Sequence, residues 1–118
     1  NYILGITPLY FLQSKSICEQ FNSHLISLHE SGVAEQIEYV FSQVSSGVSD
    51  FWIGLHKDAG TNSQYTWIDG SPMDYKNWSP GYPGSSAAEK CGAYSNGKWI
   101  ALSCTKLLPF VCETPPSL

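Results

Sequence analysis

The stretch CGAYSNGKWIALSCTKLLPFVC, residues 91–112, carries three of the four cysteines of this 118-residue chain. It reads as three short strands, at 91–94, 98–102 and 107–112, because β-branched, aromatic and aliphatic residues cluster between turn formers. Asn96-Gly97 joins the first two and is the pair that two-residue hairpin turns favour, since both turn positions need positive φ. The cysteines run Cys91-x12-Cys104-x7-Cys112, with Cys18 far upstream. No CxxC knuckle occurs, which argues against a zinc site built on a tight turn and against a thioredoxin-like redox centre. An even count at these spacings points to two disulfides, with three pairings open. An oxidising, extracellular compartment follows, so the protein is expected to be secreted.

Upstream of this stretch, residues 1–13 read as one or two short strands interrupted by Pro8. Ser14 stands as the N-cap of a short helix over 15–22, placing Ile17, Cys18 and Phe21 on one face. A second helix starts at Ser31, with Val33, Ile37, Val40, Phe41 and Val44 at helical spacing up to Gly47. The pieces FWIGL (51–55) and QYTWID (64–69) read as strands. Residues 71–90 have no period and are punctuated by Pro72, Pro80, Pro83, Gly81 and Gly84, the mark of a long functional loop. Residues 114–118 are expected to be a tail or linker beyond a domain at 1–113. Asn77-Trp78-Ser79 is formally a glycosylation sequon, with occupancy not expected beside a bulky tryptophan.

Length allows one domain with a real core. The chain has six lysines, no arginine and a formal net charge of −4. Nucleic acid and anionic membrane surfaces need clustered basic faces, so neither is an expected partner. No apolar run approaches the roughly 20 residues that span a bilayer, so no membrane insertion is expected. The sequence begins without Met and without a leader, as expected of a mature or excised form.

The order of FWIGL, WIDGSPMDYKNW and Cys91-x7-Trp99-x4-Cys104-x5-Phe110-Val111-Cys112, with His24-Leu25 and Ser27-Leu28 before the second helix, resembles the C-type lectin-like domain from about Leu9 to Glu113. The resemblance implies an α+β fold with two helices, small antiparallel sheets and a long loop region. It also selects the pairings Cys18–Cys112 and Cys91–Cys104. Trp52, Trp67 and Trp78 are expected to be core residues.

Calcium-dependent members carry Glu-Pro-Asn in the long loop, a glutamate before the next strand, and Trp-Asn-Asp on that strand. At the matching positions this chain has Tyr82-Pro83-Gly84, Glu89 and Trp99-Ile100-Ala101. Calcium needs about 6–8 hard oxygen ligands, so a single surviving carboxylate does not build the usual site. The matching proline is often cis in the family, so the loop's bend is expected to survive. Asp58 stands one residue off an auxiliary calcium position, and Lys90 replaces a further carboxylate there. Ser27, Glu30 and Glu113 form a weaker metal candidate between the second helix and the last strand, where His29 and Val33 replace two family glutamates. No cofactor is expected, calcium included.

The favoured function is a calcium-independent recognition module for a protein or glycan ligand. Candidate ligand-binding residues are Tyr75, Tyr82, Glu89, Lys90, Tyr94, Asn96 and Lys98, a mixture of aromatic and polar groups suited to protein contacts and to sugar stacking. The alternative is a calcium-dependent carbohydrate-binding lectin with an unconventional site at Asp58, Asp74 and Glu89. The resemblance also leaves room for a homodimer. An enzyme is not expected: His24, His29 and His56 fall on different elements, the first half-buried and the others exposed, with no nucleophile–base pair to nominate.

Overall fold

The computed structural model describes residues 2–44, 48–57, 64–84 and 88–114; Gly47, Asp58 and the tail from 115 lie outside the described residues. In chain order the elements are β1 (Tyr2–Leu9), α1 (Phe11–Gln20), β2 (His24–Leu25), α2 (Val33–Val44), β3 (Asp50–Lys57), β4 (Tyr65–Trp67), β5 (Cys91–Ser95), β6 (Lys98–Leu102) and β7 (Leu108–Glu113). One sheet runs β1-β7-β3-β5-β6, with β2 pairing β7 and β4 pairing β3. The first and last strands lie antiparallel, Tyr2 opposite Glu113 and Leu9 opposite Leu108. Trp52 and Phe110 mark the parallel contact of β3 with β7. This is the expected α+β architecture.

Strand alternation sorts the core onto two faces. From β3, Phe51, Ile53 and Leu55 join Ala34, Ile37 and Phe41 of α2, together with Trp67, Tyr94, Trp99 and Val111. Trp52 points the other way and joins Phe11 and Cys18 of α1, with Ala93, Phe110 and the cysteines. Residues 51–55 and 91–94 are therefore buried on both faces. They read as continuous apolar runs because no side of either strand meets water. Gly54 is required by a close approach: a Cβ there would stand 2.8 Å from the Leu25 carbonyl oxygen. Its N–H instead donates to Ile26 O at 2.8 Å, and its carbonyl accepts from Ile68 N at 2.8 Å.

Both disulfides join the pairs that the resemblance selects. Cys18–Cys112 spans 94 residues with a Cα–Cα distance of 5.5 Å, and Cys91–Cys104 spans 13 with 5.2 Å. Chain entropy makes the long closure worth about 4–5 kcal/mol and the short one about 3.

The first helix corrects the sequence reading. It begins at Phe11, four residues before the expected start, and Tyr10 is its N-cap. The Tyr10 N–H donates to Gln13 Oε1 at 3.0 Å, and the Phe11 N–H donates to the Cys104 carbonyl at 3.1 Å. Both are donors that a helix start would otherwise leave unpaired. Ser14 is not a cap but a fully buried residue whose hydroxyl donates back to Tyr10 O. The buried stripe is Phe11, Ser14 and Cys18, whereas Phe21, just past the helix, is 59% exposed. In α2 the helix begins at Val33, and the Glu35 carboxylate accepts the Gly32 N–H at 2.9 Å.

Candidate ligand groove in the long loop region

Trp99 organises the loop that follows β4. It is fully buried, and Trp67, Tyr75 and Trp78 meet its ring edge-on at centroid distances of 5.2, 5.8 and 5.6 Å. Edge-to-face pairs at such distances each add about 0.5–1.5 kcal/mol beyond area burial. Backbone bonds reinforce the rings: Trp99 N donates to Asn77 O, and Ser79 N donates to Trp99 O, at 2.9 and 2.8 Å. The Asn77 side chain donates to Gly97 O at 2.9 Å and accepts from Lys98 Nζ at 3.1 Å. Asn96 and Gly97 both have positive φ, as the hairpin turn requires. The Tyr82–Pro83 peptide is cis, as the resemblance led one to expect.

Pinned in this way, the loop forms one wall of an open groove of about 430 Å³. Lys57 of β3 and Gln64, Tyr65 and Thr66 at β4 form the other side, while Met73, Lys76, Trp78, Pro83 and Gly84 come from the loop. Tyr65 and Trp78 meet edge-on with centroids 5.0 Å apart. The Lys57 ammonium lies 5.8 Å from the Tyr65 ring centroid, within cation–π range. The Tyr65 hydroxyl donates to the Glu89 carbonyl at 2.6 Å, and Lys57 N donates to Lys90 O at 2.8 Å. Burial, followed by the nearby Glu89 charge, pushes the Tyr65 hydroxyl up to about 12.

The sequence-named residues scatter around this groove and do not fill it. Tyr82 is 37% exposed and precedes the lining pair Pro83-Gly84. Glu89 and Lys90 support the groove through the backbone bonds to Tyr65 and Lys57. Tyr75 is half-buried against Trp99, and Asn96 and Lys98 are exposed at the hairpin. Tyr94 does not reach the surface: it is fully buried, stacks on Phe51 at 4.8 Å and donates its hydroxyl to Glu38 at 2.8 Å. Burial and the Glu38 carboxylate together drive its ionisation far above the ordinary tyrosine range.

Lys57, Tyr65, Lys76 and Trp78 line the groove and were not among the ligand-binding residues named from the sequence. The signal for two of them was present: pairing 51–55 with 64–69 antiparallel sets Lys57 directly opposite Tyr65. Trp78 was named as core, and it is half-buried, with part of the ring left for the groove.

Histidines and carboxylates gather elsewhere. His29 places Nδ1 2.7 Å from Asp74 Oδ1 and Nε2 3.0 Å from Ser71 Oγ. Sequence reading nominated no such grouping. The Ser71 hydroxyl donates to Asp69 Oδ1 at 2.5 Å, so its proton is not offered to the imidazole as a serine nucleophile's would be. Partial burial would raise the Asp69 carboxyl, but the Ser71 hydroxyl and amide outweigh it and hold it below its usual range, with smaller help from Ser27 and His24. His24 is half-buried as expected, but His56, expected to be exposed, is half-buried as well. Ser27 Oγ is buried and falls short of a formed hydrogen bond, and Glu30 is exposed. Glu113 and Glu30 both act on the Tyr2 hydroxyl and, after burial, raise it. Among the described residues, no three His, Cys, Asp or Glu side chains converge as a metal would require.

Residues 7–114 match the Lectin C-type domain family. Human C-type mannose receptor 2 is 35% identical over 114 residues, a match covering 94% of this chain and 7% of the receptor; this chain thus spans a small part of that relative. The SPL-1–GlcNAc complex is 31% identical at a TM-score of 0.82, covering 98% of this chain and 88% of that one. Human lithostathine superposes at a TM-score of 0.85 with 23% identity, covering 98% and 83%, and shares the fold. No helix among the described residues is long and apolar enough to cross a membrane. With the sheet, both disulfides and the Trp99-centred loop in place, the chain belongs to the Lectin C-type domain family.

Proposed function

We propose that this chain is an extracellular recognition module that holds a glycan in the groove of Lys57, Tyr65, Lys76 and Trp78, without calcium at the usual site. The observation that carries the reading is the groove itself: open, polar at its edges, with one aromatic wall. Sugars offer an apolar ring face and a rim of hydroxyls, which such a surface complements. A protein-binding surface would be expected to cluster aromatic anchors in a well-packed, desolvated patch. That SPL-1 was solved with GlcNAc, and that a mannose receptor is among the relatives, supports a glycan ligand.

The calcium clause rests on the residues at the family's ligand positions. Ile100 is half-buried and Ala101 fully buried, both apolar, and Tyr82 and Gly84 flank the proline. Glu89 is half-buried and alone among these positions in carrying a carboxylate. The donor set does not fit a calcium ion, whose hydration shell has to be replaced by several oxygens at once.

Equilibrium binding to a panel of immobilised glycans, with and without EDTA, tests both clauses. Binding that survives the chelator and is lost in Trp78→Ala is the expected result. Loss on chelation, restored by calcium, would instead establish the calcium-dependent alternative. A panel with no bound glycan, beside specific capture of a protein ligand, would overturn the glycan clause.

A further inference from the structure

Charge in the groove runs against charge in the whole molecule. The chain carries a net charge of −4, with ten acidic residues against six lysines. Yet, of the nine described residues that line the groove, two are lysines and none has a carboxylate. Lys57 stands over the Tyr65 ring from β3, and Lys76 comes from the loop, so the two cations reach the groove on separate elements. The wall between them is stiff. The Tyr65 hydroxyl is tied to Glu89 O, and Trp78 is wedged between Tyr65 and Trp99. A rigid aromatic surface beside fixed-origin ammonium groups suits a ring that bears an anion at its edge, because stacking and charge pairing are then satisfied in one pose.

We propose that the groove selects an acidic sugar, one bearing a carboxylate or a sulfate, with the Lys57 and Lys76 ammonium groups meeting the anion and the Tyr65–Trp78 wall meeting the ring. This inference rests on the glycan-binding reading above. Gln64 and Thr66, both exposed, supply amide and hydroxyl groups for the sugar's own hydroxyls. Glu89 is the counterweight. Its backbone carbonyl accepts the Tyr65 hydroxyl, which sets its negative charge beside the groove, so its removal is expected to raise the affinity for an anion.

The test is titration calorimetry in EDTA with two matched pairs: sialyllactose against lactose, and a heparin tetrasaccharide against its desulfated form. Each acidic member is expected to bind about tenfold or more tightly than its neutral parent, with the advantage shrinking as salt rises. Whichever pair shows the larger ratio identifies the anion as carboxylate or sulfate. Lys76→Gln and Lys57→Gln should each erase most of that ratio, Glu89→Gln should enlarge it, and the exposed Lys106→Gln, outside the groove, should leave it unchanged. Thermal melts of the same variants report whether each remains folded. Equal affinity for acidic and neutral members, unmoved by the lysine changes but lost in Trp78→Ala, would overturn the acidic selection and leave the glycan reading standing. No binding of any of the four would count against both, and a lysine effect equal to that of Lys106→Gln would reduce the selection to nonspecific charge.

Discussion

Two regions of this molecule hold their shape by different means. Around α1, β1 and β7 the chain is fastened by backbone ladders and by a disulfide, and helix and strands exclude water on both sides of Trp52 and Phe110. Between Trp67 and Cys91 no strand longer than a single bridge, Trp78 with Trp99, occurs among the described residues. There side chains do most of the pinning, three rings around Trp99 and both ends of the Asn77 amide, beside two backbone bonds to Trp99. Ladder bonds are indifferent to side-chain identity, so the frame tolerates sequence change as long as its buried positions stay apolar. A loop pinned at a few side chains can change every residue between the pins. Oxygen ligands can thus give way to Tyr82, Gly84, Ile100 and Ala101 while the bend and the tryptophans stay.

That contrast can be broken from the frame side first. Replacing Cys18 and Cys112 together by alanine should cost about 4–5 kcal/mol, from the entropy of an unfolded chain no longer closed across 94 residues. Chemical denaturation should show one cooperative transition, shifted as a whole. Two separated transitions, with the loop surviving the frame, would refute the dependence of the loop on the sheet.

From the loop side, Trp78→Ala removes the ring contacts to Tyr65 and Trp99 and should cost about 1–3 kcal/mol. It should abolish groove binding while the near-ultraviolet signature of the α1 side is retained. Asn77→Ala is milder. It deletes a donor to Gly97 O and an acceptor from Lys98 and should cost about 1–2 kcal/mol, read as a lower melting temperature, with weakened ligand affinity.

The smallest effect is a titration that separates the regions without mutation. Tyr65, at the groove, is raised to about 12, and Tyr94, inside the frame, is raised further. A tyrosine whose folded pKa lies above its unfolded value of about 10 contributes stability that is fully present below pH 10. That contribution is lost as pH rises through the folded value. Tyrosinate absorbance should therefore show Tyr65 ionising before Tyr94, with Tyr94 ionising only as the protein unfolds. Tyr65→Phe should remove the phase that precedes unfolding. If Tyr94 ionises together with Tyr65, the part-buried Glu38 hydrogen bond is not as tight as its 2.8 Å length implies.

Much of the frame was legible because its signals are local. The Asn96-Gly97 pair, the spacing of α2 and the runs at 51–55 and 91–94 each constrain their own few residues. Where those signals mislead, a distant partner is responsible. Ser14 has the chemistry of a helix cap, but the Cys104 carbonyl takes the Phe11 N–H and lets the helix begin a turn earlier. Tyr94 has the chemistry of a sugar contact. In a strand covered on both faces, however, alternation is absent and nothing local tells which residues see water.

The sequence by itself determined the α+β class, the disulfide chemistry and, through the ordered motifs, the family with its pairings. It also raised the expectation that most oxygen ligands are missing from the family's calcium positions. Only the tertiary structure decided which aromatic residues line the groove, because the groove draws Lys57, Tyr65 and Trp78 from segments that meet across the sheet edge and the pinned loop. The same holds for His29, which lies more than forty residues along the chain from Ser71 and Asp74 and in hydrogen-bond contact with both. Local chemistry is written residue by residue. Convergence depends on how strands pair and on what a buried Trp99 holds in place, and chain closure of that kind leaves no periodic mark in the sequence.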